Sequence, residues 1–522
     1  MSGPIDAGAG TGLGWMAGDA LAYHAAVRPG GRACLDLRTG EALSFAELDV
    51  LAGRCAGLLG ALLGDPIGQR VASVLRNGID ALVLMYACER AGAIYTPLNW
   101  RLTAHELGGV AADCEPGLLV VDAEFEGAAR QAFAPNLAVL VADGGDGGFR
   151  GAALACAPEP ARARPADEPS VMLYTSGTTG QPKGVPLTRA NLFWAAFNFA
   201  IVGEVGPQSV MLCDTPMFHT VGLVAICRCA LQQGGSVLLS DAFRSDASLR
   251  RLGDPALGIS HYFGVPQMAQ ALCDDPAFAE TDLSRLKGLF LGGAPMPGAL
   301  HKRLMDRDVL VVNGYGMTET STISGMPVDA RVVRKRPASV GLAAPAAEVR
   351  IVTAEGRDAA AGEAGEIWVR GPSVTPGYWR QPEATAAAFV DGWFRTGDAG
   401  VFDEGGFLTI VDRWKDMYIS GGENVYPAEV EVVIAALPGI RAAAVVGVPS
   451  DRWGEAGCAF VVGDAAGAPS AAAILAHCRA RLAPFKLPTD VRFIDTLPLT
   501  DSGKIRKDLL RHEAVCPGSL PS

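Results

Sequence analysis

Lysine is scarce in this 522-residue chain: eight Lys, at 183, 287, 302, 335, 415, 486, 504 and 507, stand among 44 basic residues. Arg is the default cation, so a Lys inside a motif is informative. Basic residues are outnumbered by 56 acidic ones, giving a net charge of −12. That balance makes a poor counterion for phosphate backbones or anionic membranes and argues against nucleic acid as a partner. Any anionic ligand must be held by locally placed donors. Charged residues are also few, 19% against roughly 25% in ordinary globular chains, while 49% are hydrophobic. Wholesale disorder is excluded. The twelve Cys are scattered, Cys227-x-Cys229 being the closest pair, with no C-x-x-C. Neither a disulfide framework nor a zinc site is indicated, and a reducing cytoplasm is expected. No uncharged run reaches the roughly 18 residues needed to span a bilayer, and no basic segment precedes an apolar one at the N-terminus, so a soluble, unprocessed chain is expected.

At roughly 150 residues per domain, the length predicts three or four domain-sized units. Up to about residue 340, apolar runs alternate with helical patterns, the signature of βα units in mostly parallel sheets. Val171–Tyr174 leads into TSGTTGQPKG, followed by a helical pattern over 189–202; Leu289–Leu291 leads into Gly292-Gly293, and Val309–Val312 into Asn313-Gly314. Residues 141–151 and 156–169 read as surface loops. From about 341 to 412 the runs are short and β-like, predicting a small β subdomain without crossover helices. Beyond it, helices near 428–437 and 470–481 and strands near 442–448, 457–462 and 491–494 predict a compact α+β lid, with the boundary at 412–416.

The strongest chemical signal is Tyr174–Val185, YTSGTTGQPKGV. Hydroxyls come from Thr175, Ser176, Thr178 and Thr179; Gly177, Gly180 and Gly184 permit close backbone approach, and Lys183 adds a positive charge. Read as a loop between strand and helix, it would present backbone N–H groups to phosphate oxygens. Its glycine spacing is not that of a Walker A loop.

Together with NGYGMTET (313–320), FRTGD (394–398), DRWKDMYISGGENVYP (412–427) and PLTDSGKIRK (498–507), this loop resembles the adenylate-forming superfamily of acyl- and aryl-CoA ligases, amino-acid adenylation domains and luciferases. The motifs occur in the family's order and span nearly the whole chain. The resemblance implies an α/β fold: an N-terminal adenylation domain, 1–412, of two α/β subdomains and a β-barrel-like subdomain (about 341–412), a hinge at 413–416 and a mobile α+β lid at 417–522. It implies a two-step reaction with ATP, Mg²⁺ and coenzyme A, in which a carboxylate displaces pyrophosphate to give acyl-AMP and a thiol then displaces AMP.

Site residues follow from the same resemblance. Thr175, Ser176, Gly177, Thr178, Thr179, Gly180 and Lys183 would hold the phosphates. Gly293, Ala294 and Pro295 would line one side of adenine, with Tyr315 stacked on the other and Gly316 beside it. Thr318 would donate to the α-phosphate, Glu319 would ligate Mg²⁺, and Asp398 and Arg413 would meet the ribose. An acid among phosphates makes sense as a metal ligand, since Mg²⁺ is usually held by one or two carboxylates plus substrate phosphates. Lys504 would bridge carboxylate and α-phosphate, Lys415 would act as hinge, and Gly421, Gly422 and Trp453 would meet CoA, with Phe485-Lys486 a weaker candidate. Asp412 stands where many relatives have Gly.

His219, in TPMFHTVGL, falls at the family's gate beside the substrate carboxylate. The acid pocket is expected from His219, Phe263, Gly264, Val265, Gly292, Gly316 and Met317, whose small or apolar character suits an aliphatic, aryl or polycyclic acid. No Asp stands at the matching position to bind a substrate ammonium. An acyl-AMP ligase serving a carrier-protein or partner-enzyme thiol is the alternative, with no fused carrier domain expected after Lys507. A catalytically silent nucleotide-binding protein would be expected to have lost Lys504, Glu319 or Thr318, and all three are present.

Overall fold

The computed structural model describes residues 16–142, 147–161, 164–175, 182–294, 296–413, 416–420, 423–450, 454–464, 467–482, 484–499, 505–516 and 518. Two compact units emerge: Met1–Val349 with Val369–Phe394, and Arg350–Trp368 with Arg395–Ser522.

Two sheets build the first unit. One runs in the order Lys183–Thr188, Pro169–Thr175, Ile94–Pro97, Arg70–Val74, Leu118–Val121, Ala138–Val141, all parallel except the Lys183–Thr188 edge. The other has nine strands, with a parallel centre of Val311–Met317, Gly288–Leu291, His261–Gly264, Val210–Cys213, Ser236–Leu239 and Arg32–Asp36. Runs such as Leu118–Val121, Ser236–Leu239 and Gly288–Leu291 are buried at every position. Continuous apolar strands of this kind belong to sheets covered on both faces. Helix Phe45–Leu63 starts in a capping box between Ser44 and Glu47, and Ile79–Ala91 stops at Gly92, whose φ of 82° lies in the left-handed region. The expected α/β class is the observed one.

Three expectations need correction. The TSGTTGQPKG segment does not join a strand to a helix: Lys183–Thr188 folds back antiparallel on Pro169–Thr175, and helix Arg189–Gly203 begins only afterwards, capped by Thr188. Five of the six positions in KGVPLT are buried, its Pro186 is tolerated because the strand lies at the sheet edge, and Thr188 caps the helix that follows. The Val309–Val312 run does not stop at Asn313-Gly314; the strand continues to Met317 and pairs antiparallel with Ser321–Gly325. The loops expected at 141–151 and 156–169 hold a short helix, Phe149–Leu154, and a two-residue strand, Arg164–Pro165.

In the second unit, Trp393–Phe402 pairs antiparallel with Leu408–Arg413. A further sheet pairs Ile440–Ser450 with Gly454–Gly463, which Asp490–Phe493 joins in parallel. Helices Pro427–Ala435 and Ala471–Arg479 supply Val430, Ile434, Ile474 and Cys478 to one core, and helix Lys507–Val515 supplies Leu510 to a second. The last helix was not predicted; the helices Pro427–Ala435 and Ala471–Arg479 and the strands of this sheet fall where the sequence pattern predicts them. Gly447 and Gly457 face each other across the hairpin; a Cβ on either would come within 2.4 or 2.5 Å of Tyr418, so their glycines make room for that ring.

Candidate active site

Strands Val210–Cys213, His261–Gly264, Gly288–Leu291 and Val311–Met317 are parallel neighbours, so their carboxyl ends share one edge. In open α/β sheets that edge is where ligands gather. It gathers His219, Phe263, Gly264, Val265, Gly292, Gly293, Ala294, Tyr315, Gly316, Met317, Thr318 and Glu319 from four separate stretches of sequence.

His219 is half-buried in the turn after its strand, with its ring 4.5 Å from that of Phe218. A side chain from the other sheet fixes this turn. Asn77, 4% exposed, donates from Nδ2 to the Thr215 carbonyl at 2.9 Å and accepts the Met217 N–H on Oδ1 at 2.8 Å. Immediately after His219, residues Val221–Arg228 form a π-helix, a form that recurs at functional sites. Gly222 permits it: a Cβ there would stand 2.3 Å from the Pro216 carbonyl oxygen. Burial raises the carboxyl pKa of neighbouring Asp214, which accepts the hydroxyls of Ser248 and Tyr262 at 2.5 and 3.0 Å.

Phe263 is buried and stacks on Phe199 at 5.1 Å, while Phe290 meets Phe199 edge-on at 5.5 Å. Gly292 lies beside Phe263; a Cβ would be 3.1 Å from the Gly314 carbonyl oxygen. Gly316 is more tightly constrained, since its Cβ would be 2.0 Å from the Ser321 carbonyl oxygen, and Ser321 itself takes a φ of 55°. This close turn carries Thr318 and Glu319. Met317 N–H donates to Thr320 Oγ1 at 3.3 Å, closing it from within.

Glu319 is 6% exposed, and the Tyr378 hydroxyl donates to its Oε1 at 3.0 Å. Burial first, and the adjacent carboxylate second, push the Tyr378 phenol well above its ordinary pKa, so it stays a donor. The face of the same ring lies 4.8 Å from Lys183 Nζ. Tyr378 belongs to a strap, Ser373–Trp379, that ties the Lys183 strand to the Glu319 turn. Ser373 Oγ donates to the Thr320 carbonyl at 2.9 Å, Thr375 N–H to the Glu319 carbonyl at 2.7 Å, Thr375 Oγ1 to the Pro186 carbonyl at 2.6 Å, and Trp379 N–H to the Gly184 carbonyl at 2.8 Å. Thr175 is opposite Lys183 in the hairpin register.

Asp398 and Arg413 belong to the second unit, where they are direct partners in the antiparallel ladder. Asp398 is 6% exposed, and its N–H donates to Thr396 Oγ1 at 3.1 Å. Lys486 is committed to Glu429 at 2.7 Å, and Phe485 packs on the adjacent core. Ser176, Gly177, Thr178, Thr179, Gly180, Pro295, Lys415, Gly421, Gly422, Trp453, Lys504 and the Arg413 side chain lie outside the described residues.

Sequence reasoning missed Asn77, Gly222 and the strap. Asn77 and Gly222 sit in ordinary-looking segments, LRNG and TVGL, and announce nothing locally. The strap had one signal, Gly377-Tyr378 ahead of a Pro-Glu helix start at Pro382.

The AMP-binding enzyme family matches residues 21–379, and the AMP-binding enzyme C-terminal domain matches 429–504. A feruloyl-CoA synthase of Amycolatopsis sp is 39% identical over 90% of this chain and 94% of its own. A long-chain fatty acid–CoA ligase of Mycobacterium tuberculosis is 35% identical over 96% and 98%. The crystal structure of ATP-bound MatB from Rhodopseudomonas palustris aligns with a TM-score of 0.86 at 34% identity, covering 94% of this chain and 98% of that one.

Proposed function

Because the chain belongs to the AMP-binding enzyme family, as an AMP-forming ligase that joins an apolar carboxylic acid to coenzyme A through acyl-AMP, we propose that its acid is an aryl or arylalkenyl carboxylic acid. Two features support that class: the aromatic cluster in which Phe199 of helix Arg189–Gly203 meets Phe263 and Phe290 of neighbouring strands, and the feruloyl-CoA synthase relative.

The observation that carries the reading is Glu319, a carboxylate 6% exposed on the close turn that follows Gly316 and bonded there by the Tyr378 hydroxyl. Among the described residues no group of three or more His, Cys, Asp or Glu is placed to hold a metal by itself. One hard carboxylate fits Mg²⁺ that arrives already bound to a triphosphate. Bound there, the ion would draw charge from the phosphates.

The chain's own residues do the rest. A carboxylate and a phosphate 4 Å apart repel by about 1 kcal/mol in water and about 4 at an effective dielectric of 20, so a dry site needs compensating donors. Thr318, Lys183 and the backbone around Ser176–Gly180 hold the phosphates, Tyr315 and Gly293–Pro295 flank the base, and Asp398 and Arg413 take the ribose. Lys504, a compact charge on a long stem, meets the acid carboxylate and the α-phosphate together. A carboxylate oxygen attacks the α-phosphorus, and the bond to pyrophosphate breaks. In the second step the thiol loses its proton, sulfur attacks the acyl carbon, and AMP leaves. Lys415 is the hinge by which residues 417–522 exchange Lys504 for Gly421, Gly422 and Trp453, which receive CoA. His219 closes the acid end.

Incubation with ATP, Mg²⁺ and a panel of aryl, arylalkenyl, fatty and polycyclic acids, with and without CoA, tests this by product mass. Aryl-CoA with release of AMP is expected. Exclusive turnover of fatty or polycyclic acids would overturn the acid class, and acyl-AMP that persists in the presence of CoA would point to a carrier-protein thiol.

A further inference from the structure

We infer that Tyr378 is a positioning residue for nucleotide binding, holding the Glu319 carboxylate and the Lys183 ammonium at a fixed separation through the two chemically different parts of one side chain. This rests on the reading of Glu319 as the carboxylate that meets the metal of MgATP.

The geometry gives each part a task. The hydroxyl donates to Glu319 Oε1 at 3.0 Å, which fixes the rotation of that carboxylate in a site where the residue is only 6% exposed. The ring face, the negative part of the aromatic quadrupole, lies 4.8 Å from Lys183 Nζ. A carboxylate in direct contact with Lys183 would neutralise it and compete with phosphate; a neutral ring holds the ammonium without doing so.

The backbone of Tyr378 is itself anchored. Its N–H donates to Thr385 Oγ1 at 2.9 Å. On one side of it Thr375 N–H reaches the Glu319 carbonyl at 2.7 Å, and on the other Trp379 N–H reaches the Gly184 carbonyl at 2.8 Å, one residue from Lys183. The strap therefore holds the backbone on both sides of Tyr378. Groups that orient a metal ligand in this way typically change metal affinity about 10–100-fold when removed.

The test uses the full chain and reads binding as well as turnover. ATP affinity is measured by calorimetry across a Mg²⁺ titration for the parent, Tyr378→Phe, Glu319→Gln and the double variant, with the melting temperature recorded for each. Tyr378→Phe keeps the ring and loses the hydroxyl. It is expected to raise the half-saturating Mg²⁺ for ATP binding at least about 10-fold, while metal-free ATP binding and the melting temperature stay near the parent's. In the Glu319→Gln background the same substitution should add less than about 2-fold, because Tyr378 acts through Glu319. Tyr378→Leu removes the ring as well and should weaken metal-free ATP binding too, through Lys183.

An unchanged Mg²⁺ requirement in Tyr378→Phe, with Glu319→Gln strongly impaired, would overturn the inference and leave the reading of Glu319 intact. An unchanged requirement in Glu319→Gln would instead overturn the reading on which it rests. Should Tyr378→Phe fail to fold, the comparison of Tyr378→Leu with Tyr378→Trp, whose indole N–H retains a donor, decides the matter: equal Mg²⁺ requirements in those two would refute the role of the donor.

Discussion

Replacing Asn77 by Ala tests the claim that the His219 turn is held rigid from the opposite sheet. The amide satisfies two backbone groups at once, the Thr215 carbonyl and the Met217 N–H, and is itself 4% exposed. An unsatisfied buried polar group costs about 1–3 kcal/mol. Two such groups, eased by whatever water enters the vacated space, put the loss at about 2–4 kcal/mol. The first unit has about 375 residues, and an unfolding entropy of about 2.1 cal/mol/K per residue makes its slope about 0.8 kcal/mol/K. The melting temperature of that unit should therefore fall by about 3–5 °C, read by scanning calorimetry. Function should be affected selectively. Asn77 holds residues 215–217, two positions short of His219 and remote in sequence from the Thr318–Glu319 turn, so KM for the acid in ATP–pyrophosphate exchange should rise several-fold while KM for ATP stays within about 2-fold. A variant that melts within 1 °C of the parent and keeps its acid KM would refute the clamp. A rise in both KM values together would show that the substitution loosens the whole strand edge rather than this turn.

Three further outcomes are expected. Gly316→Ala places a Cβ 2.0 Å from the Ser321 carbonyl oxygen, so the hairpin must open; ATP–pyrophosphate exchange should drop at least about 10-fold, and parental activity and stability would contradict the close approach. His261 is fully buried, and burial holds its pKa down to about 4. The unfolded chain, near 6.5, takes up the proton first, so stability is intact above about pH 6.5 and is lost as pH falls through about 4, by about 3 kcal/mol in all. Urea unfolding of His261→Gln should lack that portion of the acid slope, and a variant with the parent's full slope would remove the assignment. Lys504→Ala should lower adenylation by about 10²–10³-fold while sparing thioester formation from supplied acyl-AMP, as monitored by product mass; equal loss in both steps would contradict its role.

What could be read from the sequence divides along a physical line. The buried strands, the carboxyl-terminal αβ pattern and the motif residues were legible because each is specified locally, by apolar runs, by glycines and by side chains adjacent in the chain. The helical pattern over 189–202 was legible, but the strand Lys183–Thr188 before it was missed, because Gly184 and Pro186 carry no strand signal and the segment is held by the pairing of six residues with a strand already present. Only the fold supplies that partner. Asn77 and Tyr378 were invisible for a stronger reason. Asn77 acts on residues 138 and 140 positions away, and Tyr378 on Glu319 59 positions away. Neither residue type is diagnostic, and neither lies in a motif.

That division has a consequence for how the site works. Residues expected to touch substrate lie on turns at strand ends, where the backbone has few ladder bonds of its own: the 215–219 turn, Gly292–Ala294 and Thr318–Thr320. Such turns would be mobile if left alone. Each of the first and third is held by a partner from elsewhere in the same unit, Asn77 in one case and the Ser373–Trp379 strap in the other. Precision at the reacting atoms depends on these supports as much as on the groups that make contact, because a displacement of about 1 Å can cost about 10²-fold in rate. Substitutions in the supports should therefore affect one substrate at a time, the acid through Asn77 and the nucleotide through the strap, whereas loss of a contact residue such as Glu319 or Lys504 should depress adenylation at any concentration of either. A panel in which Asn77→Ala and Tyr378→Phe show the same pattern of KM changes would contradict this separation.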